Sequence, residues 1–245
     1  MVATSSVIFR RELMAYFSTP VAYVFIVIFL ILAATATFFI GDFFERNQAD
    51  LKPFFNFHPW IYLFLVPSVT MRLWAEERKT GTIEFLMTLP VSSGAAVIGK
   101  FMAAWAFTGI ALALTFPVWV TVAYLGNPDH GVIAASYIGS WLMAGGFLSL
   151  GACLSALTRN QVIAYIITAS ACFMFLSSGL SMVRDVFQGW APTLLVDVLA
   201  SFSVLTHYQN ITRGLIDVRD LIFFGSLIVL GLVANVAIID LRRSP

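Results

Sequence analysis

The side chains that could do chemistry in this chain are few and scattered. The 245 residues include three histidines and two cysteines, with 13 carboxylates against 14 lysines and arginines. His58, His130 and His207 stand alone, with no HExxH, no GxSxG and no Cys–His metal spacing around them. Cys153 and Cys172 fall inside apolar segments, where a thiol serves as a small packing group rather than as half of a disulfide or metal pair. Gly94-Ala-Ala-Val-Ile-Gly99-Lys100 fits the opening of a phosphate-binding loop. The next position must supply a Ser or Thr hydroxyl for magnesium, and here it is Phe101. Lys100 reads instead as the charge that fixes one end of an apolar span. Asp197, His207, Asp217 and Asp220 gather between two apolar runs, a set that a membrane-embedded lipid-modifying enzyme could use, but at no recognisable spacing. No residue is nominated as catalytic or metal-binding.

The elements that would position such groups are set by composition. The chain is 60% hydrophobic and 11% charged, with mean hydropathy +0.90, whereas soluble domains carry about 25% charged residues. It reads as one all-α integral membrane domain over 1–245. The net charge of +1 says little about partners, but the lack of a basic cluster leaves nucleic acid out. A span needs about 20 apolar residues, and six stretches qualify: about 20–40, 57–74, 101–125, 132–157, 161–181 and 220–240. The first is too long for a signal-peptide core and reads as an uncleaved anchor. Pro67 and Pro117 predict kinks in the second and third.

Basic residues orient the spans. With the N-terminus cytoplasmic, the inside holds Arg10, Arg11, Arg72, Arg78, Lys79, Lys100, Arg159, Arg242 and Arg243. The outside then holds only Arg46, Lys52, Arg184, Arg213 and Arg219, so both termini are expected inside. Before the first span, "SSVIFRRELMAYFSTP" gathers Phe9, Leu13, Tyr16 and Phe17 on one arc, with Arg11 and Ser18 opposite. That pattern predicts a helix lying in the membrane interface, apolar face down. Between 184 and 219, the uncharged stretches 186–196 and 198–212 are too short to cross and predict two short re-entrant helices on the outer side. No Asp, Glu, Lys or Arg lies mid-span. Ion-coupled carriers keep ionisable groups at that depth, so any transport would draw its energy from a partner.

The stretch "EERKTGTIEFLMTLPVS" (76–92) is too short to span and too apolar for a wet loop. Gly81 permits a sharp turn, Thr82 can cap a helix with Glu84 in its first turn, and Pro90 helps end it. Ile83, Phe85, Leu86, Met87 and Leu89 surround that helix, leaving Glu84 and Thr88 as a narrow polar stripe. Such a helix requires burial on more than one side.

"WAEERKTGTIEFLMTLPVS" resembles the signature after the second span of ABC-2 type permeases, the membrane subunits of type V ABC exporters. "LTHYQNITRGLIDVRDLIFF" (205–224) is similar to the segment leading into the last span of the gliding-motility-type branch. The resemblance covers nearly the whole chain. It implies that 76–92 is a coupling helix seated on a cytoplasmic ABC ATPase, with Glu76, Glu77, Arg78, Lys79, Gly81, Thr82, Ile83, Glu84, Phe85, Leu86 and Leu89 forming the contact. It implies that ATP and Mg belong to that partner and that this chain carries no cofactor. A second permease subunit, identical or not, would complete the path, joined by an accessory membrane protein with an extracytoplasmic domain. On the same analogy, Phe64, Pro67 and Thr70 of the second span and Thr168, Phe175 and Ser178 of the fifth would line it. The location implied is the cell's inner (cytoplasmic) membrane, crossed several times. The other readings are the membrane enzyme and a non-transporting anchor for an ATPase.

Overall fold

The computed structural model describes residues 2–82, 91–180, 183 and 201–241. Within them every regular element is helical. In chain order these are α1 (Val2–Ser18), α2 (Pro20–Thr35), α3 (Lys52–Thr70), α4 (Ala75–Thr80) and α5 (Ser93–Ala113). They continue as α6 (Phe116–Leu125), α7 (His130–Ser155), α8 (Gln161–Ser177), α9 (Val204–Thr212) and α10 (Val218–Leu241). Four helical stretches are long and apolar enough to cross a membrane: Pro20–Ile40, Ser93–Leu125, His130–Ser155 and Val218–Leu241. Gln161–Ser177 is a shorter apolar helix, and Lys52–Thr70 carries Asn56, His58, Pro59 and Pro67 within its length.

The starts follow local chemistry. Asp129 Oδ1 accepts from the backbone N–H groups of Gly131 (2.9 Å) and Val132 (3.2 Å) to cap α7. Asn160 caps α8 through Val162 N–H at 2.9 Å, and Ser203 caps α9 through Thr206 N–H at 3.1 Å. Each satisfies a donor that the helix itself leaves open. The kink expected at Pro117 is a two-residue turn, Leu114–Thr115, between α5 and α6 within one helical stretch. Pro117 has no N–H to offer the preceding turn, and Thr115 closes the gap with its hydroxyl, donating to the Leu112 carbonyl at 2.6 Å. At the end of the first span, Ala36–Ile40 widens into a π-helical turn that closes on Gly41 N–H at 2.8 Å.

α7 sits at the centre, touching α3, α5, α8, α9 and α10. Lipid tails provide no hydrophobic drive for helix association, so close approach by small residues must supply the contact. α7 does this with Gly151, where an added Cβ would lie 2.4 Å from Thr70 Oγ1 of α3. Polar ties cross the same seams: Ser140 Oγ donates to Tyr62 Oη at 3.1 Å, and Ser149 Oγ to the Leu227 carbonyl at 3.3 Å. Trp105 and Trp141 stack at 4.2 Å, each indole donating to the other's backbone carbonyl.

α1 is helical where the periodicity of its apolar residues predicted a helix. Its apolar arc meets protein: Tyr16 stacks on Phe107 of α5 at 5.0 Å, and Phe17 meets the same ring edge-on at 5.8 Å. Gly99 permits this approach, since a Cβ there would stand 2.8 Å from Ile8. The glycine of the false phosphate loop is thus a helix-packing residue. Of the two short outer helices expected, the second corresponds to α9. Its face of Val204, Leu205, Tyr208 and Ile211 is buried, and Tyr208 Oη donates to the Phe55 carbonyl of α3 at 2.9 Å. The first, 186–196, lies outside the described residues.

Candidate functional site

At the end of the molecule carrying α1, three elements converge on one lysine. Lys100, in the second turn of α5, is only 4% exposed at its side chain. Its ammonium lies 2.7 Å from Glu77 Oε1 of α4 and 3.2 Å from Glu12 Oε1 of α1, and 5.3 Å from the ring centroid of the fully buried Trp74. Arg11 adds a second cation to Glu12 at 2.6 Å. A lysine this buried is held only by such pairing. The contacts link residues 88 and 23 positions apart, so no local motif could have announced them; only the sign of Lys100 was legible.

Burial alone would push the Glu12 carboxyl upward, but Lys100 and then Arg11 outweigh it and hold it below its usual value of 4.5. A depressed folded-state value stabilises the fold above the unfolded value, and that stability is lost as the pH falls through the folded one. Acidification below about pH 4.5 should therefore loosen α1 from α5. Tryptophan fluorescence followed from about pH 6 to about pH 3 should show this as a transition. A trace as flat as that of a Glu12→Gln variant would contradict it.

The same end holds α4 to the last turn of α7. Ser155 Oγ accepts from Trp74 N–H (3.3 Å) and Ala75 N–H (3.2 Å), and donates to the Met71 carbonyl at 3.3 Å. These are the backbone groups left open where α3 gives way to α4. Arg78 donates to the Ala156 carbonyl. α4 then ends on Gly81 at φ +74°, a left-handed turn that glycine adopts without strain. On the other side, Ser93 Oγ donates to Asp240 Oδ1 at 2.5 Å, tying the first turn of α5 to the last of α10.

Of the contact residues expected in 76–92, Glu76, Lys79 and Thr82 are exposed, while Glu77 and Arg78 are half-buried and engaged with their own chain. Ile83, Glu84, Phe85, Leu86 and Leu89 lie outside the described residues. Among the residues assigned to a path, Thr70 and Thr168 are fully buried, Pro67 is buried, Phe175 and Ser178 are half-buried, and Phe64 is exposed.

At the opposite end, the fold brings together two members of the Asp/His set. His207 Nδ1 is 2.6 Å from Asp220 Oδ1, and the ring stacks on Phe223 at 4.1 Å. His207 Nε2 faces the Ser201 carbonyl at 3.0 Å. An acid–base relay to a nucleophile needs a hydroxyl or thiol at that nitrogen, and a carbonyl stands there instead. Each ring nitrogen thus faces one acceptor, and the contact ties α9 to the start of α10. Asp217 turns aside to accept from Arg219 N–H at 3.1 Å, and Asp197 lies outside the described residues. Cys153 and Cys172 are free.

Long apolar helices around a small-residue hub, with charge kept, among the described residues, to the ends of the long apolar stretches, define a helical integral membrane protein. The family model for the ABC-2 family transporter protein matches residues 6–239. The chain therefore belongs to the ABC-2 transporter family, whose membrane proteins act as permeases in association with an ABC ATPase and membrane lipid. No curated protein matches the chain.

Proposed function

We propose that this chain is the membrane-spanning permease subunit of an ATP-driven exporter and hydrolyses no ATP itself. Its six spans would be Pro20–Ile40, α3, α5 with α6, α7, α8 and α10, in the inner membrane with both termini cytoplasmic. The observation that carries this reading is the family match across 6–239, which includes the 76–92 stretch between α3 and α5. In this arrangement α4 and 82–92 form the element that a separate ATPase grips, with ATP and Mg held by that partner. The exposed Lys79 and Thr82 together with Ile83, Glu84, Phe85, Leu86 and Leu89 would face it. Glu77 and Arg78 would anchor the element's base to its own chain. A second permease copy or homologue would complete the path. The likeness of 205–224 to the gliding-motility branch supports an accessory membrane protein with an extracytoplasmic domain.

The tagged chain, solubilised in mild detergent, should bring an ABC ATPase with it. Glu84→Arg should cut that co-purification by tens of fold while leaving membrane insertion intact, because a buried interfacial charge stripped of its partner costs about 2–5 kcal/mol. Undiminished ATPase recovery with the arginine variant would reject the docking role of this stretch.

A further inference from the structure

A cleft of about 300 Å³ opens between α1, the start of α2, the end of α3, α4 and α5. Its lining changes with depth. Glu12, Arg72, Glu76, Glu77 and Lys100 stand at the α4 end, and Phe25, Val69 and Phe107 below them. Those same three apolar residues also line an adjoining, almost wholly apolar recess of about 30 Å³ between α2, α3 and α5 that includes Phe29 and Leu65. A charged chamber beside a greasy recess has the outline of a lipid head joined to its acyl chain.

The charges select among heads. Lys100 is already committed to Glu12 and Glu77. Arg72 and Glu76 are exposed, and among the described residues neither makes an ion pair. Glu77 Oε2 is buried with no hydrogen-bond partner. The chamber thus presents one open guanidinium and two open carboxylate sites. A guanidinium matches a phosphate, and the carboxylates need N–H donors. A choline head has no N–H, and a glycerol head brings a net negative charge to a lining already richer in acids. A primary ammonium supplies three donors and a positive charge.

We propose that this cleft seats one bilayer phospholipid with a phosphoethanolamine head. The phosphate meets Arg72, the ammonium meets Glu76 and Glu77 Oε2, and one chain lies along the Phe25–Val69–Phe107 recess. This seat requires only that the chain lie in a bilayer, so it and the ATPase-driven reading can fail independently.

The test uses the full chain in nanodiscs of equimolar phosphatidylethanolamine, phosphatidylcholine and phosphatidylglycerol with identical acyl chains, read by native mass spectrometry of retained lipid. Phosphatidylethanolamine should be retained about tenfold over each of the others, the scale of one charged hydrogen bond. Arg72→Gln and Glu76→Gln should each lower that retention about tenfold, with melting temperature unchanged because both side chains are exposed. Soluble glycerophosphoethanolamine should not displace the lipid. Equal retention of the three lipids, preference for phosphatidylglycerol, glutamine variants that hold phosphatidylethanolamine as the parent does, or displacement by the tail-less head would each overturn the proposal.

Discussion

Lys100→Met lowers the melting temperature of the purified chain by roughly 6–12 °C. Methionine keeps the length and greasy stem of lysine, so packing against Trp74 survives and the charge alone is removed. Glu77 then retains a carboxylate whose Oε2 is buried and already lacks a partner, and Glu12 keeps only the exposed Arg11. Breaking a fully buried pair costs about 3–5 kcal/mol. The two carboxylates are 17% and 21% exposed at their side chains, so solvent screening brings the cost toward the lower end, about 3 kcal/mol. For a chain of this size each kcal/mol moves the midpoint by about 2–4 °C. Adding Glu12→Gln and Glu77→Gln to the methionine variant should restore much of the loss, since no stranded charge then remains. A methionine variant melting with the parent would show that the cluster carries no weight.

Gly151→Ala is the second large effect, and its sign is the informative part. In an open helix position, alanine is better than glycine by about 0.5–1 kcal/mol. Here the new methyl would meet Thr70 Oγ1 at 2.4 Å and Thr70 Cβ and Cγ2 at 2.7 Å. Thr70 is fully buried and cannot swing aside. Overpacking of this kind costs about 1–3 kcal/mol and outweighs the helical gain, so thermal melts should show a loss. Gly94→Ala, in the first turn of α5 where nothing lies within 4 Å of a new Cβ, should be neutral or stabilising in the same assay. Thr70→Ala should recover part of the Gly151→Ala defect by removing two of the three clashing atoms. An alanine at 151 that stabilises the chain would mean that α3 and α7 do not meet there as described.

That the chain is built of long apolar helices was legible from the sequence because charge is excluded from its apolar runs. Asp129 and Arg159 interrupt those runs close to where α7 and α8 begin, whereas the third span, placed at 101–125, begins at Ser93 and is interrupted at Leu114–Thr115. The second span was placed to begin near residue 57, but α3 begins at Lys52. Pro53 fits a helix's first turn, where no N–H is needed, and the polar Asn56 and His58 masked that start. The arc of Phe9, Leu13, Tyr16 and Phe17 was visible as a 3.6-residue period. Periodicity shows that a face is apolar and says nothing of what covers it, so the pairing with α5 had to come from the tertiary structure. The ionic cluster was hidden for a related reason. Glu12, Glu77 and Lys100 belong to three separate segments, and each alone looked like an ordinary charge beside a span. The His207–Asp220 contact lay across a turn containing Gly214 at φ +84°, which no linear spacing encodes.

The hydroxyl of Ser155 fixes where a force applied to α4 is felt. The corner between α3 and α4 has its two open amides on that one oxygen, and the adjoining guanidinium grips the next carbonyl along. Pulling the short helix away cannot simply unwind the corner, because the first bonds to stretch end on α7. That rod abuts five neighbours among the described helices, so α4 is moored to the hub of the bundle rather than to a peripheral helix.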